Sequence, residues 1–457
     1  MRLFHHKKLL VPGAVMILAA SALSCAPREI AVLQEPELVW TAADFERHIQ
    51  ALNSGGGAGQ RAGTLQYAAA SNHIVAQFRA SGLRPGLNTF NVPFLIDRNL
   101  VSGFKVGGSH EDSLRVLPGV DTAPAAWTGT GQRTIRRFSS GIPSPNADLF
   151  QTAIVVDQKD ATGDFFRRLN KLSAPTVFEI GDLSYEASSV RVDSAVAIQL
   201  TRETLARLLG ISSFGVGSII NSPTGRIFNL RETLEISTTS TFYPRVQESN
   251  IIGVIPGKAP VYNSEVIVVI ASIGSGGEFG GLPTYQFTDL GIGSSVLIEV
   301  SNRIAAESRY SAIPDRSIMF AHLYTGDSVK SGVEAFFRNP VWSTSSVSAM
   351  LLVAVSDEDA EIISTKAAAR GISVELFNAV PPADLNRKGF LTRPRWVDHA
   401  ANRSVSVDTI DRRILAAARD SAATQAFLLG DQVLDRLAEL MNVSTAVPFL
   451  ERNSDQE

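Results

Sequence analysis

The side chains that could do chemistry fall just after short apolar runs. Val266-Ile267-Val268-Val269-Ile270-Ala271 gives way at once to Ser272-Ile273-Gly274-Ser275-Gly276-Gly277. So short and β-branched a run predicts a buried strand in a mostly parallel sheet. Ligands of such sheets gather beyond the carboxyl ends of the strands. Ser272 and Gly274, which stand there, are neither strong metal ligands nor proton carriers. The backbone amides of Gly274, Ser275, Gly276 and Gly277 could cradle an anion, a peptide or small-molecule carboxylate for instance. The acids nearest in pattern are Asp289, before a predicted helix, and Asp327, after the run Ser317–Tyr324. Their simplest roles are a helix cap and a loop carboxylate. His322 lies inside an apolar run and reads as a hydrogen-bonded core residue, whereas His399 beside Asp398 reads as a solvated loop residue.

Several chemistries are excluded by pattern. The seven histidines show no H-E-x-x-H or other ligand spacing. Gly210-Ile211-Ser212-Ser213-Phe214-Gly215 only approximates a nucleophile elbow. The Gly274 loop lacks the Lys-Ser/Thr of a phosphate-binding loop, and Glu299 imitates only weakly the acid of a dinucleotide fingerprint.

The elements that must position these residues alternate strictly after Asn250. Strands are predicted at 266–271, 317–324, 348–355 and 372–377, with helices at 292–308, 328–338 and 357–370 and a final helical stretch at 408–441. This is the pattern of a doubly wound α/β fold. Earlier, helices at 41–52 and 64–81 lead to strands at 90–96 and 100–106. Residues 108–235 hold shorter strands, among them 153–156, 176–180 and 195–200, and helices at 165–172 and 202–209. They read as a compact β-rich module inserted into the larger domain.

Composition sets the outer bounds. A 44% hydrophobic content and 19% charge suit a globular chain able to bury a large core. The N-terminus joins a cationic start (Arg2, Lys7, Lys8) to the apolar stretch 9–23, ending at Cys25, the only cysteine. That pattern predicts a lipoprotein signal over 1–24, with Cys25 acylated and 25–40 a tether. Removing it leaves 39 basic residues against 45 acidic, a net −6. Such a balance does not suggest nucleic-acid binding. The expected location is a bacterial envelope, anchored to the outer membrane and facing the periplasm, because Ala26 offers no inner-membrane retention signal.

The order of landmarks resembles the zinc aminopeptidase family that includes aminopeptidase Y, glutamate carboxypeptidase and the transferrin receptor ectodomain. Gly59-Gln60-Arg61-Ala62-Gly63-Thr64, the helix end Ser81-Gly82-Leu83-Arg84-Pro85, Asn250–Gly257, Arg316–Phe320 and Asp408-Thr409 carry the resemblance. It implies a mostly parallel sheet sandwiched by helices over 41–107 and 236–445, a protease-associated-like insert at 108–235 and a tail at 446–457. It also implies a two-zinc site, and there the chain departs. Ser272 and Gly274 replace the His-x-Asp pair, Gly326 and Asp327 the Glu-Glu pair, Ala354 an aspartate and Ser404 the last histidine. Asp289 alone matches, at the metal-bridging position. Two carboxylates, Asp289 and Asp327, cannot hold two zinc ions at four ligands each, and glycine at 326 cannot act as a base.

Three functions compete on these residues. The first is a degenerate pseudopeptidase, without resident cofactor, that binds or scaffolds a protein or peptide. The second is an active metallopeptidase with a rebuilt zinc site drawing on Glu278, Asp289, Asp327 and His399. The third is a ligand-binding lipoprotein using the Gly274 loop.

Overall fold

The structure is a computed structural model. It describes residues 40–53, 64–108, 121–144, 148–183, 195–222, 225–260, 262–274, 278–279, 282–285, 291–310, 313–327, 329–380, 389–390, 395–399, 402–406 and 412–441. For 278–279, 282–285, 389–390, 395–399, 402–406 and 412–418 the description is of the backbone. Cys25, Ser275, Gly276, Gly277 and Asp289 lie outside these residues.

In chain order the first elements are α1 (Ala42–Leu52), α2 (Leu65–Ser81), β1 (Arg84–Pro85), β2 (Asn91–Gly108), β3 (Thr122–Pro124), β4 (Gly131–Ser140) and β5 (Thr152–Asp157). Then come α3 (Gly163–Leu169), β6 (Thr176–Ile180), β7 (Val196–Leu200), α4 (Arg202–Leu209), α5 (Ser213–Ile220) and β8 (Ile227–Ile255). The second half holds β9 (Val266–Ile273), β10 (Glu278–Phe279), β11 (Leu282–Tyr285), α6 (Ile292–Tyr310), β12 (Ser317–Tyr324), α7 (Ser331–Arg338) and β13 (Val347–Val353). It closes with α8 (Asp357–Ala368), β14 (Val374–Phe377), β15 (Gly389–Phe390), β16 (Arg395–His399), β17 (Asn402–Ser406) and α9 (Arg412–Met441).

Local chemistry explains the helix ends. The Thr64 hydroxyl accepts from the Tyr67 amide to start α2, and Gly82 ends it in the left-handed region at φ 79°. Between them Tyr67, Ala70, Ile74 and Phe78 form one buried stripe. The final helix runs unbroken through Gly430, whose hydrogen side faces Phe45 and Trp40.

A single mixed sheet carries most of the strands, in the order β14-β13-β9-β12-β8-β4-β5-β6-β7-β3, with β1 and β2 also on β8. It is two parallel blocks sewn together. β9, β12, β13 and β14 pair in parallel, as do β4, β5, β6 and β7. β8 is the seam, antiparallel to β12 at one end and to β4 at the other. Where the sequence suggested separate strands at 90–96 and 100–106, β2 is continuous and crosses two register shifts alongside β8. Residues 250–255 are likewise the end of a 29-residue strand.

Each block has cores of its own. In the first, α1, α2, α6 and α9 cover one face of the sheet, around Ile267, Val269 and Phe320. α7 and α8 cover the other, around Val268, Ile270 and Met319. In the second block, α4 and α5 pack over Phe138, Phe178 and Ile198, and α3 packs over Ile154 and Val177. From Trp40 on, the contacts nonetheless make one compact unit. The fold is therefore mixed α/β, a large central sheet flanked by helices. Among the described residues no helix is long and apolar enough to cross a membrane.

Candidate functional site

The carboxyl ends of β9, β12 and β13 bring together Ser272, Gly274, Gly326, Asp327 and Ala354, as their positions in the sequence required. Gly274 turns out of β9 at φ 98°, a conformation that favours glycine. A Cβ there would run into the ring of Tyr324. That ring is fully buried and meets Tyr67 edge-on, with centroids 5.8 Å apart. Gly326 is tighter still, since a Cβ on it would overlap the carbonyl of Gly274. The two glycines interlock: a side chain at 326 would have to move backbone, and one at 274 would have to displace the buried Tyr324 ring. The first residue of the suggested anion-cradling loop is thus packed shut.

Behind this ridge, toward α7 and α8, lies an ionic knot. The Ser272 hydroxyl donates to Asp359 Oδ2 at 3.2 Å, and Lys330 Nζ stands 3.3 Å from Asp359 Oδ1. Lys330 also donates to the Thr325 carbonyl at 3.2 Å and faces Glu358 at 3.9 Å. It is only 4% exposed and holds a left-handed backbone at φ 49°. A strained, buried lysine persists only where its partners over-determine it. Asp327 is buried as well, and burial raises its pKa, although its bonds to Ser331 pull the other way. One carboxylate oxygen takes the Ser331 amide at 2.7 Å and the other the Ser331 hydroxyl at 2.5 Å. It therefore stands in the loop before α7 and holds the first residue of that helix. Asn250 ties the region together, accepting from the Tyr324 amide at 3.0 Å and donating to the Gly332 carbonyl at 2.8 Å.

The remaining candidates divide. His322 is fully buried, 3.0 Å from the Ser294 hydroxyl, and burial pulls its pKa down to about 3. That is the core role read from its apolar strand. His399 ends strand β16 instead of lying in a loop, and Ser404 sits in β17, where it pairs with Val397. Ala354 is buried, left-handed at φ 47°, and its amide binds the Phe377 carbonyl. α6 closes on this end of β13, because Gly293 lets the helix abut the Val353 carbonyl.

Sequence reasoning missed Lys330 and Asp359. An isolated lysine reads as surface, and Asp359 is one of three acids in the first turn of α8. The available signal was Ser356-x-x-Asp359, a cap spacing that fixes which acid turns inward, and the Ser356 hydroxyl does accept from the Asp359 amide. Pattern also missed a histidine cluster. His48 Nδ1 lies 2.9 Å from His73 Nε2, and His48 Nε2 lies 2.5 Å from Glu299 Oε1, across α1, α2 and α6. Burial, then the charges of His48 and Arg47, lowers the His73 pKa to about 4.

These donors do not fit a zinc pair. Ser272 is committed to Asp359, both oxygens of Asp327 are committed to Ser331, and Ala354 and Gly326 offer no side-chain donor. The Lys330 ammonium already supplies positive charge at the strand ends, and it would repel a divalent ion brought beside it. Among the described residues no group of three or more His, Cys, Asp or Glu side chains is arranged to hold a metal.

The class defined by this fold is a mixed α/β protein with a large central sheet flanked by helices. Known structures similar to the chain include an aminopeptidase from Aneurinibacillus sp. strain AM-1, at 12% identity and TM-score 0.45, covering 85% of this chain and 93% of that one. A peptidase M28 precursor from Shewanella amazonensis SB2B is similar at 12% identity and TM-score 0.43, with the same coverage. A glutaminyl cyclase from Bacteroides thetaiotaomicron follows at 9% identity and TM-score 0.31, covering 85% and 96%. These are likenesses of fold. No protein-family model and no curated protein sequence matches the chain.

Proposed function

We propose that this is a pseudopeptidase: a peptidase-fold protein that binds or scaffolds a protein or peptide partner and performs no two-metal hydrolysis. The observation that carries the reading is Gly326. The position that the resemblance assigns to the general base has no side chain and no room for one, because the Gly274 carbonyl occupies the space. Loss of a positioned base costs about 10²–10⁴-fold in rate even where metals remain. The proposal includes acylation at Cys25, which would anchor the protein to the outer membrane, facing the periplasm.

Elemental analysis after dialysis, alongside an aminopeptidase substrate panel, tests it. The expected result is no stoichiometric zinc and no turnover. Bound zinc together with turnover abolished by Asp289→Ala would overturn the reading in favour of a rebuilt enzyme.

A further inference from the structure

The hairpin of α4 and α5 ends in a convex tip that the strand-end site does not use. It contains the Gly210–Gly215 stretch that only approximates a nucleophile elbow. α4 stops at Gly210 (φ 68°), whose amide returns to the Arg207 carbonyl while that of Ile211 returns to Ala206. The Ser212 hydroxyl then caps α5. Val216 is fully buried and pins α5 to the sheet, yet Phe214 is 93% exposed and Ile211 38%.

The run that carries this tip is basic between two flanking acids, Glu203 and Glu232. Residues 204–231 include Arg207, Arg226 and Arg231 and no aspartate or glutamate. Arg231 reaches the tip itself, its Nη2 3.4 Å from the Gly210 carbonyl. Arg226 stacks over Phe228 at 5.3 Å, one strand residue from the exposed Ile227. Arg207 is paired with Asp121, so the positive charge offered at the tip itself is that of Arg231.

We infer that this tip is a membrane-contact element, in which Phe214 and Ile211 enter the interfacial layer of an anionic bilayer and Arg231 meets the lipid phosphates. A protruding ring suits a fluid interface that closes around it, and flanking arginines complement anionic headgroups. The charge pattern also selects against a basic protein partner. One aromatic and one aliphatic side chain give only weak, reversible adhesion, so the element would orient a protein already held near a membrane. The inference stands whether or not Cys25 is acylated.

Site-directed spin labelling of the full chain tests it. In a Cys25→Ser background, a nitroxide is placed at Phe214→Cys, at Ile211→Cys, or at the exposed control Thr365→Cys. Vesicles of phosphatidylcholine with phosphatidylglycerol should raise oxygen accessibility and lower nickel-chelate accessibility at 214 and 211 and leave 365 unchanged. Phe214→Ser should weaken the part of vesicle partitioning that depends on phosphatidylglycerol by about 10-fold, and Arg231→Glu should weaken it in the same direction. Labels at 214 and 211 that stay water-accessible on vesicle-bound protein would overturn the inference. So would protection from both reagents before lipid is added, which would show the tip seated in a protein contact.

Discussion

The two parallel blocks of the sheet end in opposite ways. Beyond β9, β12 and β13 the strand ends are sealed by Gly274 against Gly326, by Tyr324 and by the Lys330–Asp359 pair. Beyond β5, β6 and β7 the same topological position is an open cleft of about 490 Å³, lined by Asp157, Gln158, Lys159, Gly181, Thr201 and Arg202 among others. There Arg202 sits 3.0 Å from Asp157 and is half exposed. Parallel strands thus present a crevice by geometry, and the side chains decide whether it stays open. Beyond β9, β12 and β13 the crevice is filled by Gly274, Gly326 and Tyr324.

The largest effect should come from refilling the sealed end. Gly326→Ala already pushes a methyl group into the Gly274 carbonyl, which can yield only by backbone movement. We expect Gly326→Glu, which would place a full carboxylate side chain in the same space, to cost about 4 kcal/mol or more. At the open end, Gly181→Ala meets the Gln158 carboxamide, which can swing away, and the Gln158 Cβ at 2.9 Å, which needs a small local shift, and should cost about 1–2 kcal/mol. Chemical denaturation of the two variants compares them directly. Equal and small costs would mean that the strand ends beyond β9 and β12 are not closed.

Charge removal sharpens the same contrast. Lys330→Met strands the Asp359 carboxylate, 4% exposed, beside a single hydroxyl. Breaking one half of a buried pair typically costs about 3–5 kcal/mol. Arg202→Met leaves Asp157 with Lys159 nearby and with solvent, and should cost about 1 kcal/mol or less. Adding Asp359→Asn to Lys330→Met should return much of the loss. A double variant no better than Lys330→Met alone would mean that the lysine acts through packing rather than charge.

Much of the framework behind this contrast was legible in the sequence, for identifiable reasons. Apolar runs such as Thr176–Ile180 and Ser317–Tyr324 coincide with β6 and β12, since burial on both faces leaves little alternative. The seam was not legible. β8 is rich in serine and threonine, and its buried positions Leu234, Ile236, Thr238 and Ser240 alternate too mildly to advertise one 29-residue strand. β4, with Arg133, Arg136 and Arg137, shows no apolar run, and α5 hides behind two glycines. At the site, the weak donor chemistry of Ser272, Gly274, Gly326 and Ala354 was legible from residue type. The ionic knot beside them was not, because Lys330 gains meaning only when α7 and α8 place it against Asp359. The independence of residues 108–235 as an inserted module remains a proposal, which limited proteolysis near residues 108 and 235 would test.

The contrast that separates the blocks by sign is the pH dependence of stability. His322 in β12 is fully buried, and burial holds its pKa at about 3 against an ordinary 6.5. Between those values the unfolded chain binds a proton that the folded chain refuses, so this contribution is intact above pH 6.5 and is lost as the pH falls toward 3. Glu179 in β6 is the reverse. Burial, partly offset by the Trp127 indole, pushes its pKa up to about 7 from 4.5. The folded chain then keeps a proton that the unfolded chain releases, so stability is intact below pH 4.5 and is lost as the pH rises through 7. At about 1.4 kcal/mol per pKa unit, Glu179 accounts for at most about 3 kcal/mol across that window. Glu179→Gln should flatten the alkaline limb of the stability profile, and His322→Asn the acid limb. Native-state hydrogen exchange at β6 and β12 between pH 5 and 8 should show protection falling with pH at the first, after correction for the intrinsic rate, and rising at the second. The same slope in both strands would mean that the two blocks open as one unit, their separate cores notwithstanding.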